Sequence, residues 1–455
     1  MLLLGPSGCG KSTLLQVLSG MVPSVIEIPM KAEELRTPER WGYVFQDPDT
    51  QFCMPYVDEE IAFVLENMQV PREQMPALIR HYLELVGLQF EDIHTPIQNL
   101  SQGMKQRLAI ASVLALEPEV LFLDEPTALL DEEGTQQVWE TIRATSEGKT
   151  LLIVEHKIHG ILDLIDRVIV LTSNGEILAD GEPAAVFASY KKELIDFGIW
   201  YPGVWEDYDT ERGDICKEAA APSSEREVLI TLDGFQALRG GEVKLETGML
   251  TVGSREWVAV AGHNGAGKSS LLLGMMRLVP TKGICEIAGV RGKKVADIAD
   301  HVAFVFQNPE FQFVTGSVEE EIAYSLEEGQ EGQVEELLRK YQLVELRSRH
   351  PFQLSMGQKR RLSVASALVR KQRILLLDEP TFGLDARNTF HMLEMLEELR
   401  QEGTSIMMVT HDHHIIQRFA DRVWQVQRGQ VSDLTPGQYL EQFEQSEKGE
   451  VLLCN

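Results

Sequence analysis

The chain has 455 residues, 44% hydrophobic and 25% charged, an ordinary globular composition with length enough for two or three domains, each burying its own core. Its 70 acidic against 42 basic side chains give a formal charge of −28, which repels phosphate backbones and disfavours a nucleic-acid partner. Its 5 scattered cysteines include no CxxC pair, so neither a zinc site nor a disulfide framework is indicated, and no apolar run approaches the roughly 18 to 20 residues that cross a bilayer.

In chain order, an apolar stub runs into LLLGPSGCGKSTLL, where Gly5 to Ser12 satisfy GxxxxGK[ST] between a strand and a helical run. Glycines there let backbone N–H groups wrap phosphates, with the helix N-terminus adding its dipole. Gly5, Pro6, Ser7, Gly8, Cys9, Gly10, Lys11, Ser12 and Thr13 are therefore the first candidate nucleotide-binding set. Lys11 is expected to reach the β and γ phosphates, and Ser12 to ligate Mg²⁺. YVFQDPDTQF places Gln46, an amide oxygen for Mg²⁺ or water, in a loop. The carboxylates around it, Asp47, Asp49, Asp58, Glu59 and Glu60, read either as an acidic groove for basic partner helices or as a solvated face.

NLSQGMKQRLAIAS follows, then the buried strand of VLFLDEPTALLD, ending in Asp124 for the Mg²⁺ shell and Glu125 to polarise the attacking water. A second buried strand, LLIV, ends beside His156, 31 residues beyond that glutamate. The aromatic IWYPGVW either packs on a domain or forms a contact surface, and Glu206 to Glu227, charged and poor in large apolar residues, reads as a linker.

From residue 228 the blocks return in the same order. Gly262, His263, Asn264, Gly265, Ala266, Gly267, Lys268, Ser269 and Ser270 repeat the phosphate loop, Lys268 lying 257 residues after Lys11. Gln307 in FVFQNPEFQF lies 261 after Gln46, and Ser355 in QLSMGQKRRLSVAS lies 254 after Ser101. Asp378 and Glu379 answer Asp124 and Glu125, each glutamate 24 residues after its serine, and His411 answers His156. Repeated blocks at a nearly constant offset mean two homologous domains. Short apolar runs alternating with helical stretches predict an α/β fold, each domain a mostly parallel sheet with a helical lobe. The expected layout is a first domain over 1–205, a linker over 206–227 and a second domain over 228–455.

These motifs resemble the ABC ATPase family: Walker A, Q-loop, an LSGGQ-like signature, Walker B with its glutamate, and an H-loop, twice. The resemblance implies that Ser101 and Gly103 of LSQGM contact the γ-phosphate of ATP at the Lys268 site, and that Ser355 and Gly357 of LSMGQ do so at the Lys11 site. ATP and Mg²⁺ are the implied ligands, with Ser12, Ser269, Gln46, Gln307, Asp124 and Asp378 around the metal and Glu125, Glu379, His156, His411, Gln46 and Gln307 in catalysis. FQDPDTQF and FQNPEFQF resemble the energy-coupling-factor group of importers, in particular tandem ATPases assigned to thiamine and its hydroxymethylpyrimidine precursor. That likeness implies a membrane scaffold subunit, a small substrate-binding membrane subunit and a place on the cytoplasmic face of the membrane. A tandem ATPase for another solute, or an ABC protein acting on ribosomes or DNA, is the alternative.

The copies differ at their starts. Copy two has room for leading strands, with Phe235 the nearest candidate to stack on adenine, whereas four residues precede Gly5. A truncated copy or a misassigned start is expected. Since stacking is worth about 1 to 3 kcal/mol, the Lys11 site should bind ATP more weakly. Gln102 and Met356 replace the first signature glycine and Met104 the final glutamine. With both glutamates and both histidines present, two competent sites are expected.

Overall fold

Apolar runs of four or five residues become the strands of two sheets in a computed structural model that describes residues 1–6, 8–128, 130, 132–158, 160–212, 226–326, 331–370 and 372–453. The chain divides into two units, Met1–Val204 with Asp385–Arg387, and Trp205–Leu384 with Asn388–Asn455. Most of the segment read as a linker, together with Cys216 and Cys454, lies outside the described residues.

In unit 1, strands β1 (Leu2–Leu4), β2 (Trp41–Val44), β3 (Val120–Asp124), β4 (Thr150–Val154), β5 (Val168–Leu171) and β6 (Ile177–Gly181) form a sheet ordered β2-β3-β4-β1-β5-β6. All pairings are parallel except β5 with β6. Strands covered on both faces need no polar side, which is why VLFLD and TLLIV are nearly continuous apolar runs rather than alternating ones. The helix Gln102–Leu114 is buried from Leu108 to Leu114 without a break. Met75–Leu85, in contrast, buries Met75, Ile79, Tyr82 and Leu83, a single stripe of a surface helix.

Unit 2 repeats the plan. Its strands are β7 (Val228–Arg239), β8 (Glu242–Thr247), β9 (Leu250–Gly253), β10 (Trp257–Ala261), β11 (Thr281–Ile287), β12 (Val302–Val305), β13 (Ile374–Asp378), β14 (Ser405–Val409), β15 (Arg422–Gln427) and β16 (Gln430–Leu434). The core order β12-β13-β14-β10-β15-β16 matches unit 1 strand for strand. β7, β8, β9 and β11 form an antiparallel layer over the helix Lys268–Met275, burying Leu271, Leu272 and Met275 in one cluster with Phe235, Leu245 and Cys285. On unit 1 the corresponding face, with Leu3, Leu14, Leu18, Ile169 and Ile177, lines an apolar cavity of about 70 Å³.

The helix Val204–Arg212 occupies the start of the segment read as a linker. Within unit 2, Trp205 meets Phe390 edge-on at 4.9 Å, Tyr208 stacks on Phe390 at 4.3 Å, and Arg418 pairs with Asp209 at 2.7 Å. The aromatic run is thus split: Trp205 belongs to unit 2, while Ile199, Trp200 and Tyr201 are buried. No described helix is long and apolar enough to cross a membrane.

Candidate functional site

Parallel strands bring residues that are distant in sequence to one edge of a sheet, at the carboxyl ends of neighbouring strands. In unit 1, β1 opens into the phosphate loop, β2 runs out to Gln46, β3 ends on Asp124 before Glu125, and β4 leads to His156. In unit 2, β10, β12, β13 and β14 do the same for Lys268, Gln307, Asp378 with Glu379, and His411.

The glycines of the loops have measurable reasons. Gly10 and Gly267 precede the helices Lys11–Leu18 and Lys268–Met275 at φ 96° and 111°, a left-handed region that side chains disfavour. At Gly262, with φ 145°, a Cβ would lie 2.2 Å from the Val426 carbonyl oxygen. Lys11 and Lys268 are buried, and each Nζ donates to carbonyls of its own loop: Gly5 at 2.8 Å and Pro6 at 3.1 Å, Gly262 at 2.6 Å and His263 at 3.0 Å. Both ammonium groups are thereby held over the loop. Cys9, Thr13, Asn264, Gly265, Ala266 and Ser270 lie in the same two segments, whereas Ser7 lies outside the described residues.

Ser12 Oγ donates to Asp124 Oδ1 at 2.8 Å, and Ser269 Oγ to Asp378 Oδ1 at 3.1 Å. A hydroxyl and a carboxylate converging in this way are the hard oxygen donors that Mg²⁺ prefers, so the residues present fit the ion. Burial pushes both aspartates above their ordinary pKa, and the serine hydroxyls oppose that. In unit 1 the other carboxylate oxygen accepts from Tyr43 Oη at 2.9 Å; Phe304 stands at the equivalent position of unit 2.

Each glutamate is approached at both oxygens. Glu125 lies 3.0 Å from His156 Nε2 and accepts from Gln46 Nε2 at 2.8 Å. Glu379 lies 3.2 Å from His411 Nε2 and accepts from Gln307 Nε2 at 2.9 Å. A carboxylate can only accept, so the glutamine NH₂ faces it and the amide oxygen is left for other partners. Burial works to raise both glutamates, but the histidine partners and the loop lysines outweigh it and hold them below the ordinary carboxylate range. They are ionised at neutral pH. Glu125 and Glu379 also share an uncommon backbone, φ 47° and 48°. Left-handed conformation in a residue other than glycine costs free energy and clusters at functional sites.

The signature serines cap helices. Ser101 Oγ accepts from Met104 N at 3.3 Å, and Ser355 Oγ from Gln358 N at 3.4 Å. Gln358 Oε1 returns a bond to Ser355 N at 3.0 Å, closing a capping box. Met104 has no acceptor to do so. Because each serine accepts through oxygen, its hydroxyl proton is left to donate outward. Gly103 packs on Gly134, where a Cβ would be in ordinary contact, but at Gly357 a Cβ would come within 2.5 Å of Asn388.

One expectation is corrected. Phe235 is 0% exposed, its ring packed against Gly274 inside the core, so it offers no face to a base; the β7–β8 hairpin holds no other aromatic. Four of the five carboxylates read as a groove or a solvated face take partners within unit 1. Asp47 caps a turn through Asp49 N at 3.0 Å, Asp49 binds Lys105 at 2.7 Å, and Asp58 pairs with His94 at 3.1 Å. Glu60 is buried, accepting from the backbone of Cys53 and Met54. These carboxylates hold their own loop in place.

Residues that motif reading missed stand behind the glutamates. Glu155, 3% exposed, accepts from Thr127 Oγ1 at 2.9 Å and from His156 N at 3.0 Å. Arg360, 2% exposed, donates to the Phe306 carbonyl at 2.9 Å, where unit 1 has Gln106 donating to Phe45 at 3.2 Å. A position-by-position comparison of the two copies shows these differences but not their burial.

The ABC transporter family model matches residues 1–128 and 245–382. A protein named "Putative HMP/thiamine import ATP-binding protein YkoD", from Bacillus subtilis (strain 168), is 35% identical over 458 residues, covering 93% of this chain and 83% of the relative. A "Putative ABC transporter ATP-binding protein" of Methanosarcina acetivorans is 32% identical over 495 residues, covering 94% and 80%. Among solved structures, the archaeal ribosome recycling factor aABCE1, in complex with the ribosomal stalk protein aP1, aligns with a TM-score of 0.67 at 21% identity over 98% of this chain and 87% of that one, a likeness of fold. With two P-loop units of one topology and the family's motifs in order along most of its length, the chain belongs to the ABC transporter family of ATP-binding proteins.

Proposed function

We propose that the chain is the ATP-hydrolysing subunit of a membrane importer, with thiamine or its hydroxymethylpyrimidine precursor as cargo. The observation that carries the ATPase reading is the recurrence, in both units, of a glutamate carboxylate held between a histidine and a glutamine beside a serine–aspartate pair and a buried lysine. Lys11 and Lys268 bind the β and γ phosphates, Glu125 and Glu379 polarise the attacking water, and His156 and His411 orient that carboxylate and the water. Mg²⁺ held by Ser12 and Asp124, or by Ser269 and Asp378, would neutralise charge on the phosphates. The amide oxygens of Gln46 and Gln307 and the outward hydroxyls of Ser101 and Ser355 complete the set.

The transport reading draws on two further supports. FQDPDTQF and FQNPEFQF carry the importer-like extension, and the Bacillus relative bears a name for this cargo. Past Gln307, Phe311 is 76% and Tyr324 70% exposed, with Val314 and Phe352 also uncovered. We read this exposed apolar stretch as a protein contact, with a scaffold subunit in the membrane as its partner and the cytoplasmic face as its place. A metal ion, another vitamin or a sugar is the alternative cargo, and a ribosome or DNA the alternative partner. Affinity capture from solubilised membranes, with ribosome sedimentation in parallel, tests the class. Recovery of an integral membrane scaffold with nucleotide-dependent uptake of labelled hydroxymethylpyrimidine is expected; co-sedimentation with ribosomes and no membrane partner would overturn it.

A further inference from the structure

We propose that the two catalytic centres are set apart in charge by the residues behind them, so that unit 2 holds MgATP more tightly than unit 1; the inference rests on the ATPase reading above. Two equivalent positions differ. Just before the histidine stands Glu155 in unit 1 and Thr410 in unit 2; five residues after the signature serine stands Gln106 in unit 1 and Arg360 in unit 2.

Both pairs lie against the chemistry. Glu155 bonds the backbone N–H of His156 and the hydroxyl of Thr127, two residues past Glu125. Thr410 Oγ1 accepts from Asp412 N at 3.1 Å and brings no charge. Gln106 and Arg360 occupy the same seat, each donating to the carbonyl of the phenylalanine that precedes its loop glutamine. Arg360 Nε is buried with no hydrogen-bond partner, and Glu379 and Asp378 are the carboxylates whose charge the guanidinium feels. Burial lowers its pKa to about 10, with Glu379 and Asp378 opposing, and the charge persists at neutral pH.

Lys11, Asp124 and Glu125 at the unit 1 centre match Lys268, Asp378 and Glu379 at the unit 2 centre, and to these unit 1 adds Glu155 and unit 2 adds Arg360. With Glu155 ionised, these two positions alone make the unit 2 centre more positive by two charges. MgATP is a net anion, so it gains in unit 2 from a cation that unit 1 lacks, and meets in unit 1 a carboxylate that unit 2 lacks. One charge at roughly 10 Å through an effective dielectric of about 20 changes affinity about tenfold.

The test is equilibrium titration of the full chain at pH 8, with Mg²⁺ and a fluorescent non-hydrolysable ATP analogue. Lys11→Ala leaves unit 2 to report, and Lys268→Ala leaves unit 1. In the first background, Arg360→Gln is expected to weaken binding about tenfold while Arg360→Lys, which keeps the charge, stays close to the parent. In the second, Glu155→Thr together with Gln106→Arg, a change of two charges, is expected to tighten binding about a hundredfold. Unchanged affinities in both series, with melting curves showing folded protein, would overturn the proposal. Should Arg360→Gln fail to fold, the unit 1 exchange decides alone. Absence of binding in both parents would instead sink the ATPase reading.

Discussion

Replacing Glu155 by glutamine removes the one carboxyl that burial has pushed up to about 7. Its folded pKa lies above the ordinary 4.5, so between those values the native state binds more protons than the unfolded chain. Stability contributed by the protonated form is then complete below about pH 4.5 and is lost as the pH climbs through about 7. At about 1.4 kcal/mol per pKa unit, the loss amounts to about 3 kcal/mol. Glutamine cannot ionise, so the variant loses this slope, while forfeiting about 1 kcal/mol at every pH because its NH₂ cannot accept one of the two hydrogen bonds. Hydrogen exchange of β4 and urea unfolding at pH 5 and pH 8 measure the effect. The variant should be slightly less stable than the parent at pH 5 and more stable at pH 8. An equal difference at both values would refute the upward shift of the buried Glu155 carboxyl.

Other substitutions report on separate parts of the structure. Met104→Gln should let residue 104 bond the Ser101 N–H as Gln358 does for Ser355, stabilising unit 1 by about 0.5 to 1 kcal/mol in urea unfolding. Tyr43→Phe, which installs the residue of unit 2, removes a donor from Asp124 and should cost unit 1 about 1 to 3 kcal/mol. Trp205→Ala empties the space between Phe390, Tyr208 and the Arg418 side chain and should lower the stability of unit 2 by about 3 to 5 kcal/mol. Gly262→Ala drives a methyl into the Val426 carbonyl and should abolish nucleotide binding by unit 2, read by the same fluorescent titration.

The α/β architecture and the convergence of Ser12 with Asp124 could be read from the sequence because phosphate chemistry demands those residue types at strand ends, whereas the turning of the Gln46 amide nitrogen toward Glu125 could not. Buried parallel strands announce themselves as unbroken apolar runs, and their ends locate the carboxylates. What escaped depends on burial and register. Phe235 was an aromatic at a plausible distance from the loop, yet its side of β7 faces the core. The carboxylates from Asp47 to Glu60 looked like a charged surface because the chain does not reveal that Lys105, His94 and backbone amides return to meet them. Glu155 and Arg360 lie inside the very blocks that defined the repeat, but there they were neighbours of motif residues; packing behind the glutamates gives them a part in the site.

The central claim is that both units hydrolyse ATP with a glutamate held between histidine and glutamine. Steady-state ATPase measured on Glu125→Gln, Glu379→Gln and the double variant tests it most directly. Each single substitution should impair turnover and the double variant should fall by about 10² to 10⁴, the contribution of a positioned base. A single variant that leaves turnover untouched would contradict two working centres, and a double variant with parental activity would contradict the assignment of these glutamates altogether.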